Sequence, residues 1–270
     1  MIERIKAATE FIRSKGVEAP QIGIVLGTGL GNLALQIEAE QIIDYSAIPN
    51  FPVSTVESHS GKLIYGSLSG KKVLAMQGRF HYYEGYSGEE ITFPIRVMKL
   101  LGIEKLLISN AAGTVNPDFK KGTLMLIDDH INMIPDNPLR GKNLDELGPR
   151  CPDMSEPYDR EMNGMLKEIA KELKVTLNEG VYTPVAGPNL ETRAEYRYMR
   201  KIGSDAIGMS TAPEVIVANH MGLPCCAISV LTDECDPDNL KPVSIAEILE
   251  IAGKAEKNLT KLYVELIKRI

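Results

Sequence analysis

The chain has 270 residues, and its 30 Lys and Arg against 36 Asp and Glu give a formal net charge of −6. An acidic chain with no basic run lacks the positive surface that nucleic-acid binding requires, so we exclude a general nucleic-acid partner. The most apolar stretch, 212–231, is interrupted by Glu214, Asn219 and Pro224, whereas a spanning helix needs about 20 predominantly apolar residues. We therefore expect no membrane partner, and the charged, amphipathic start of the chain predicts a cytoplasmic location.

The first half of the chain alternates between helical and strand-like patterns. Apolar residues recur at helical spacing over 2–12, and Gly16 ends that helix before the strand-like run 21–26. A glycine-rich loop over 27–31 follows, and then a helix. The apolar runs 62–68 and 72–77 are separated by a Ser-Gly pair, which predicts an antiparallel hairpin. A helix over 88–101 then precedes a strand over 105–109 that ends in the loop NAAGT.

The second half continues this alternation. The predicted elements are helices over 159–173, 191–201 and 213–221, strands over 178–186, 205–209 and 225–232, and a final helix from about Ser244. Such alternation predicts an α/β fold whose sheet is covered by helices on both faces. We find no linker or repeat and therefore expect a single domain over 1–270, in which 132–158 is the one long loop.

The four cysteines do not have the spacing of a zinc or redox site. Cys225 and Cys226 are adjacent within an apolar run, and Cys151 and Cys235 stand alone. We therefore expect four reduced, buried thiols and no metal site.

The segment Gly27-Thr28-Gly29-Leu30-Gly31 joins a strand to a predicted helix. Backbone N–H groups and the helix dipole suit an anion in such an arrangement. The third glycine of a dinucleotide fingerprint is replaced by Asn32, but Asp44 lies where a second strand could end and hold a ribose. An NAD-dependent oxidoreductase and a plain strand-to-helix turn both stay open as alternatives here.

Three further strand ends carry residues suited to a ligand. Arg79 and His81 are two positions apart, so both side chains can point to one side and clamp a phosphate, although simple packing of a strand end also fits. Small residues over 110–114 and 208–211 allow a ligand to approach the backbone, and Ser210 alone would also fit a helix cap. Because α/β sheets bind ligands at the carboxyl ends of their strands, we expect these segments to form one site.

Nine segments of the sequence resemble those of a known family. The segments GTGLG, IPNFP, QGRFHYYEGY, TFPIRV, NAAG, DHIN, NPLRG, VAGPNLET and GMSTAPEVIVA, in this order, are similar to those of the trimeric purine nucleoside phosphorylases and their methylthioadenosine phosphorylase relatives. The resemblance extends from about residue 21 to 250. It implies the nucleoside phosphorylase fold, with a central mixed, partly barrel-like β-sheet flanked by helices on both faces. It also implies a homotrimer with active sites near the subunit interfaces.

The implied reaction is reversible, phosphate-dependent cleavage of a purine (deoxy)ribonucleoside to free base and (deoxy)ribose 1-phosphate. Phosphate is then a co-substrate, and no cofactor is implied. The resemblance assigns phosphate binding to Thr28, Arg79, His81, Ala111 and Ser210, and nucleoside binding to His59, Tyr83, Ala111, Ala112, Gly113, Leu190, Glu191, Met209, Asp233 and Ile245. It implies that His81, Glu191 and Asp233 are the catalytic residues.

Two positions depart from the enzymes that act on 6-oxopurines. Those enzymes generally carry Asn where this chain has Asp233, and an ionised carboxylate only accepts hydrogen bonds, which suits an exocyclic amino group. Ile245 lies near the position where enzymes of higher organisms keep a histidine, and an apolar residue there tolerates a methylthio group. In contrast, Glu191 and His59 follow the 6-oxopurine pattern, although Glu191 at a helix start also fits an acid that complements the dipole.

We therefore expect a phosphorylase of inosine and guanosine. A phosphorylase dedicated to 5'-methylthioadenosine is the alternative, and a non-catalytic nucleoside-binding protein is a further one.

Overall fold

The computed structural model describes residues 1–53 and 61–270. Its helices are α1 (Ile2–Ser14), α2 (Gly88–Leu101), α3 (Arg160–Leu173), α4 (Arg193–Lys201), α5 (Ala212–His220) and α6 (Ile245–Arg269). Its strands are β1 (Ile22–Leu26), β2 (Glu38–Asp44), β3 (Lys62–Leu68), β4 (Lys71–Gln77), β5 (Lys105–Thr114), β6 (Leu124–His130), β7 (Leu177–Pro184), β8 (Ala206–Gly208) and β9 (Cys225–Glu234). Within the described ranges, no helix is long and apolar enough to cross a membrane.

The sheet combines a closed ring of strands with an open arm. The order β5-β8-β7-β6-β9 closes on itself because β9 also pairs with β5 in parallel. The arm β2-β3-β4-β1 joins this ring where β1 pairs in parallel with β5. Parallel and antiparallel pairs are mixed, since β3 and β4 form an antiparallel hairpin while β1 and β4 are parallel. The predicted mixed, partly barrel-like α/β sheet is confirmed.

Helices cover the sheet on both faces. One hydrophobic cluster contains buried residues of α1, α2 and α5, among them Ile12, Met98 and Val217. A second cluster contains buried residues of α3 and α6, among them Leu166 and Leu262. Successive strand residues point to opposite faces, which is why neighbouring positions of β1 belong to different clusters.

Most predicted elements are confirmed, and three differences have physical causes. The strand predicted over 105–109 continues to Thr114, because its small residues pair with both β8 and β9. The helix expected after 31 is only a five-residue 3-10 helix, Asn32–Gln36. No prediction covered β6, whose apolar part is four residues long and is followed by two aspartates.

The cysteine prediction is right for three positions and wrong for one. All four thiols are free, and Cys225, Cys226 and Cys235 are buried. Cys151 is exposed, because it lies in the irregular segment after residue 131, outside the helices and strands that form the core.

The second strand lies in the wrong place for a dinucleotide-binding fold. Asp44 ends β2, which is antiparallel to β3 and separated from β1 by both β3 and β4. A dinucleotide-binding unit places its ribose-binding acid at the end of a parallel strand next to the first. The position of Asp44 therefore does not support the oxidoreductase alternative.

Candidate active site

A cavity of about 300 Å³ opens at the carboxyl ends of the central strands. Thirteen of the fourteen predicted site residues line it: Thr28, Arg79, His81, Tyr83, Ala111, Ala112, Gly113, Leu190, Glu191, Met209, Ser210, Asp233 and Ile245. The fourteenth, His59, lies outside the described residues. The sequence thus identified residues that share one cavity, while the ligand of each stays a prediction.

Arg79 is the central cation of the cavity and is 2% exposed. Its Nη1 donates to the carbonyl of Ser109 at 2.9 Å and to Oγ of Ser210 at 2.9 Å. Its Nε pairs with Oε1 of Glu214 at 3.1 Å, and both side chains are almost fully buried. Breaking a buried ion pair of this kind is costly, so the guanidinium is held in one orientation. Oγ of Ser210 accepts one of these hydrogen bonds and also lies 3.3 Å from Oγ1 of Thr211.

A strained turn presents Ser210 to the cavity. Thr211 has φ 74° and ψ −57°, and the N–H of Ala212 donates to the carbonyl of Ser210 at 2.9 Å, which forms a γ-turn. Such a conformation costs a β-branched residue on the order of 1–3 kcal/mol. The turn is stabilised by Asn110, whose amide donates to Oγ1 of Thr211 at 2.8 Å. The turn precedes α5 and so places Ser210 beside the positive end of that helix.

His81 is oriented by its own short helix. Both its backbone N–H and its Nδ1 contact Oε1 of Glu84 at 2.9 Å. The ring of Tyr83 stacks on the imidazole with centroids 4.7 Å apart and planes 16° from parallel. Burial raises the pKa of Tyr83 to about 12, the Glu84 charge adds to the effect and Arg79 opposes it. Tyr83 therefore remains a neutral phenol at physiological pH.

The short 3-10 helix after the glycine loop does not offer its first N–H groups to a ligand. The N–H groups of Asn32 and Leu33 donate to Oε1 of Glu256 at 2.5 and 3.4 Å, and the Asn32 amide donates to Oε2 at 2.6 Å. Glu256 is a buried residue of α6. The first N–H groups of the short helix are thus occupied by a carboxylate. The expected contribution of this helix end to anion binding is wrong, whereas Thr28 of the loop lines the cavity and its assignment to phosphate stays a prediction.

Glu191 lines the cavity and lies two residues before α4 begins. Thr192 is the N-cap of that helix, and Glu195 completes the capping box. Glu191 is therefore outside the first turn, so its interpretation as a first-turn acid of the helix is wrong. Burial raises the pKa of Glu191, the charges of Asp233 and Glu195 add to this, and a hydrogen bond from Tyr196 opposes it.

Asp233 lies near the end of β9 and is held on both oxygens. Oδ1 accepts from the Thr232 hydroxyl at 2.7 Å, and Oδ2 accepts from the Cys235 thiol at 3.0 Å. Gly113 is its partner in β5. A Cβ at position 113 would lie 2.5 Å from the Cys235 sulphur and 2.7 Å from Oδ2, so this close approach requires glycine. The carboxylate is well placed to accept a hydrogen bond from a ligand.

The residues that the sequence analysis assigned to ligands do not include all residues of the cavity. The additional lining residues are Asn110, Pro188, Tyr196, Ile207, Gly208, Thr232, Cys235 and Ile248. Asn110 was detectable, because it begins the NAAG segment. Tyr196 and Cys235 had no local signal, because tertiary packing brings them to the cavity. Leu190 and Ile245 form the outer part of the cavity and are 45% and 68% exposed.

Comparisons with known proteins agree with this geometry. The family model described as "Phosphorylase superfamily" matches residues 21–268. The chain is 49% identical to purine nucleoside phosphorylase 1 of Bacillus subtilis over 267 residues, which cover 99% of this chain and 98% of the relative.

Solved structures of two Schistosoma mansoni proteins are also similar. Isoform 2 of its purine nucleoside phosphorylase, in complex with cytosine and ribose-1-phosphate, has a TM-score of 0.95 and 42% identity and covers 99% of this chain and 96% of its own. The S. mansoni purine nucleoside phosphorylase superposes with a TM-score of 0.93 in complex with adenosine and 0.94 in complex with inosine. Those two structures are 38% and 39% identical to this chain, cover all of it, and are themselves covered to 98% and 97%. The chain therefore belongs to the phosphorylase superfamily, among the purine nucleoside phosphorylases.

Proposed function

We propose that this chain catalyses the phosphate-dependent, reversible cleavage of purine nucleosides, with inosine and guanosine as its main substrates. The observation that carries the proposal is the arrangement of one cavity. Arg79, Ser210 and His81 line it together with Glu191 and Asp233, over a floor of small residues at 111–113. Cationic and hydroxyl donors suit phosphate, whereas the two carboxylates suit the hydrogen-bond donors of a purine.

The reaction needs charge stabilisation at two places. The glycosidic bond breaks with positive charge developing on the sugar and negative charge on the departing base. Phosphate bound beside Ser210 and His81 stabilises the sugar cation and attacks the sugar carbon from the face opposite the base, which inverts that carbon. Donors held rigidly before the reaction need not reorganise as charge develops, which is the main source of such stabilisation. Arg79, fixed by Glu214, provides this rigidity.

Glu191 supports a preference for 6-oxopurines. The ring N–H beside the carbonyl of hypoxanthine or guanine is a donor, and an ionised Glu191 can accept from it. Asp233 would then face the imidazole side of the purine, where a carboxylate accepts a hydrogen bond from an exocyclic amino group and repels a carbonyl oxygen. The related S. mansoni enzyme has been solved with both inosine and adenosine, so this cavity type admits either base class in that protein.

A phosphorylase of 5'-methylthioadenosine is the second candidate. Ile245 lines the outer cavity and offers an apolar surface to a methylthio group, and Asp233 offers an acceptor to an exocyclic amino group. Glu191 argues against it, because adenine has no ring N–H at the position that this carboxylate would read.

The active form is proposed to be a cytoplasmic homotrimer. Support for the trimer is the resemblance to trimeric relatives, and four free thiols fit a reducing compartment. Sedimentation equilibrium tests the assembly: a mass near three chains agrees with it, and a monomer at working concentration contradicts it.

The test of function is release of free base from inosine, guanosine, adenosine and methylthioadenosine, each with and without phosphate. We expect phosphate-dependent release that is fastest from inosine or guanosine. Faster release from methylthioadenosine would establish the second candidate instead. Nucleoside binding without any release would contradict both and favour a binding protein.

A further inference from the structure

Two buried side chains link the carboxylates of the cavity. Tyr196 belongs to α4 and Cys235 follows β9, each is 2% exposed, and both line the cavity. The phenol of Tyr196 hydrogen-bonds to Glu191 and also reaches the Cys235 sulphur. The Cys235 thiol in turn donates to Oδ2 of Asp233 at 3.0 Å. A continuous chain of contacts therefore runs from Glu191 to Asp233.

The phenol of Tyr196 and the thiol of Cys235 both act as hydrogen-bond donors. Burial raises the pKa of Tyr196 and, together with the Asp233 charge, that of Cys235, so both remain protonated and act as donors. The thiol proton lies toward Asp233, and the phenol proton serves Glu191. A hydrogen bond to the charged form of a carboxylate favours that form. The Tyr196 phenol therefore favours ionisation of Glu191, and the Cys235 thiol fixes one oxygen of Asp233.

We propose that Cys235 and Tyr196 are positioning residues that set the purine preference of this site by holding the carboxylates of Asp233 and Glu191 in the orientation that contacts the base. This inference rests on the proposed function, because it assigns the reading of the base to those carboxylates. An ionised Asp233 accepts from the amino group of adenine and repels the carbonyl of hypoxanthine. An ionised Glu191 accepts from the ring N–H of hypoxanthine.

The Cys235 substitutions test the hydrogen bond separately from packing. Cys235→Val removes the donor at similar volume, and Cys235→Ser keeps a donor. A hydrogen bond to a charged group contributes about 1.5 kcal/mol or more, so we expect Cys235→Val to lower the adenosine-to-inosine ratio of kcat/KM about 10-fold. Cys235→Ser should restore most of the ratio. Cys226→Val is the matched control, because this thiol is also buried on β9 but does not line the cavity.

Tyr196→Phe provides an independent test at the other carboxylate. Loss of the phenol removes a donor to ionised Glu191, so the acid limb of kcat/KM for inosine should move to higher pH. The other groups that face Glu191 are Asp233 and Glu195, and both are unchanged in this variant. A merely structural role of Tyr196 would lower activity without moving the limb.

The results that would overturn the inference are specific. An unchanged ratio in Cys235→Val, equal changes in the Val and Ser variants, or an unmoved acid limb in Tyr196→Phe would each contradict it. Calorimetric binding of adenine and hypoxanthine measures base preference without turnover. If the unsubstituted protein released no base, the proposed function would fail, while the same ratio measured by base binding would still decide the inference.

Discussion

The two ends of the cavity are built differently. At the end assigned to phosphate, Arg79, His81 and Ser210 are 2%, 5% and 7% exposed, and an ion pair or hydrogen bond fixes each of them. At the outer end of the cavity, Leu190 and Ile245 are 45% and 68% exposed. The buried end is organised before any ligand binds, whereas the open end leaves part of the nucleoside to be covered by other means.

We infer that the buried end determines the rate of the reaction and that the two carboxylates determine which purine is accepted. A rigid set of donors stabilises developing charge for any nucleoside, because all of them share the sugar and the phosphate. Discrimination between purines depends on which hydrogen bonds the two carboxylates can make with the base. We therefore expect substitutions at the buried end to reduce activity with every substrate, and substitutions near Asp233 to change the order of substrates.

Replacement of Arg79 tests the buried end most severely. Arg79→Ala removes the cation and leaves Glu214 buried without its ion-pair partner, so we expect loss of kcat/KM of about 100-fold or more with every purine nucleoside. The KM for phosphate should rise more than that for nucleoside. Arg160→Ala is the control, because Arg160 is exposed and pairs with Glu156 at the surface. Normal phosphate dependence in Arg79→Ala would refute the role assigned to this residue.

A methyl group at position 113 tests the close packing at the base end. Gly113→Ala would place a carbon 2.5 Å from the Cys235 sulphur and 2.7 Å from Oδ2 of Asp233, so both side chains would have to move. Overpacking of this kind costs about 1–3 kcal/mol, so we expect thermal denaturation to report lower stability and the KM for nucleoside to rise about 10-fold. Gly253→Ala should have neither effect, since a Cβ there meets no atom within 4 Å. An unchanged nucleoside KM in Gly113→Ala would mean that the base binds elsewhere.

Substitution of Asp233 tests selectivity without a large loss of activity. The amide of Asp233→Asn can both donate and accept, so it no longer repels the carbonyl of a 6-oxopurine. We expect the inosine-to-adenosine ratio of kcat/KM to rise about 10-fold, within the range that hydrogen-bonding groups contribute to discrimination. Competition between the two nucleosides in one reaction measures this ratio directly. An unchanged ratio would show that Asp233 does not read the base.

A smaller effect is expected in the pH profile. Burial raises the pKa of Glu191 and the Asp233 charge adds to the shift, so Glu191 loses its ionised form as pH falls through this raised value. The acid limb of kcat/KM for inosine should therefore lie above the ordinary range of a glutamate, and Asp233→Asn should move it to lower pH. Profiles of both proteins at the same phosphate concentration check this, since phosphate also titrates. An acid limb at the same pH in both proteins would show that Glu191 does not take part in inosine binding.

Local patterns in the sequence were sufficient for most of the elements and for the cavity residues at strand ends. Helical spacing gave α2 its observed bounds, and the resemblance brought Arg79, Glu191 and Asp233 to one site. Long-range partners were not predictable in this way. Glu256 holds the backbone of Asn32 from 224 positions away in the chain. Contacts of this kind depend on how α6 packs, and no local spacing encodes them.

The glycine loop shows the same limit. Its sequence correctly indicates a tight turn after β1, since a Cβ at Gly27 would lie 2.8 Å from the Asn110 backbone of β5. The helix end after this loop does not bind an external anion, because Glu256 accepts hydrogen bonds from its first N–H groups. The strained φ of Thr211 likewise follows from its contacts with Asn110 and Ala212 and has no signal in the sequence.

The most direct test of the account is the stoichiometry of the reaction. Inosine and phosphate are incubated with the protein, hypoxanthine is followed by absorbance, and phosphate esters are followed by phosphorus NMR. We predict one ribose 1-phosphate for each hypoxanthine released, and no release without phosphate. Release of hypoxanthine with free ribose and unconsumed phosphate would contradict the assignment of the Arg79 and Ser210 end to phosphate.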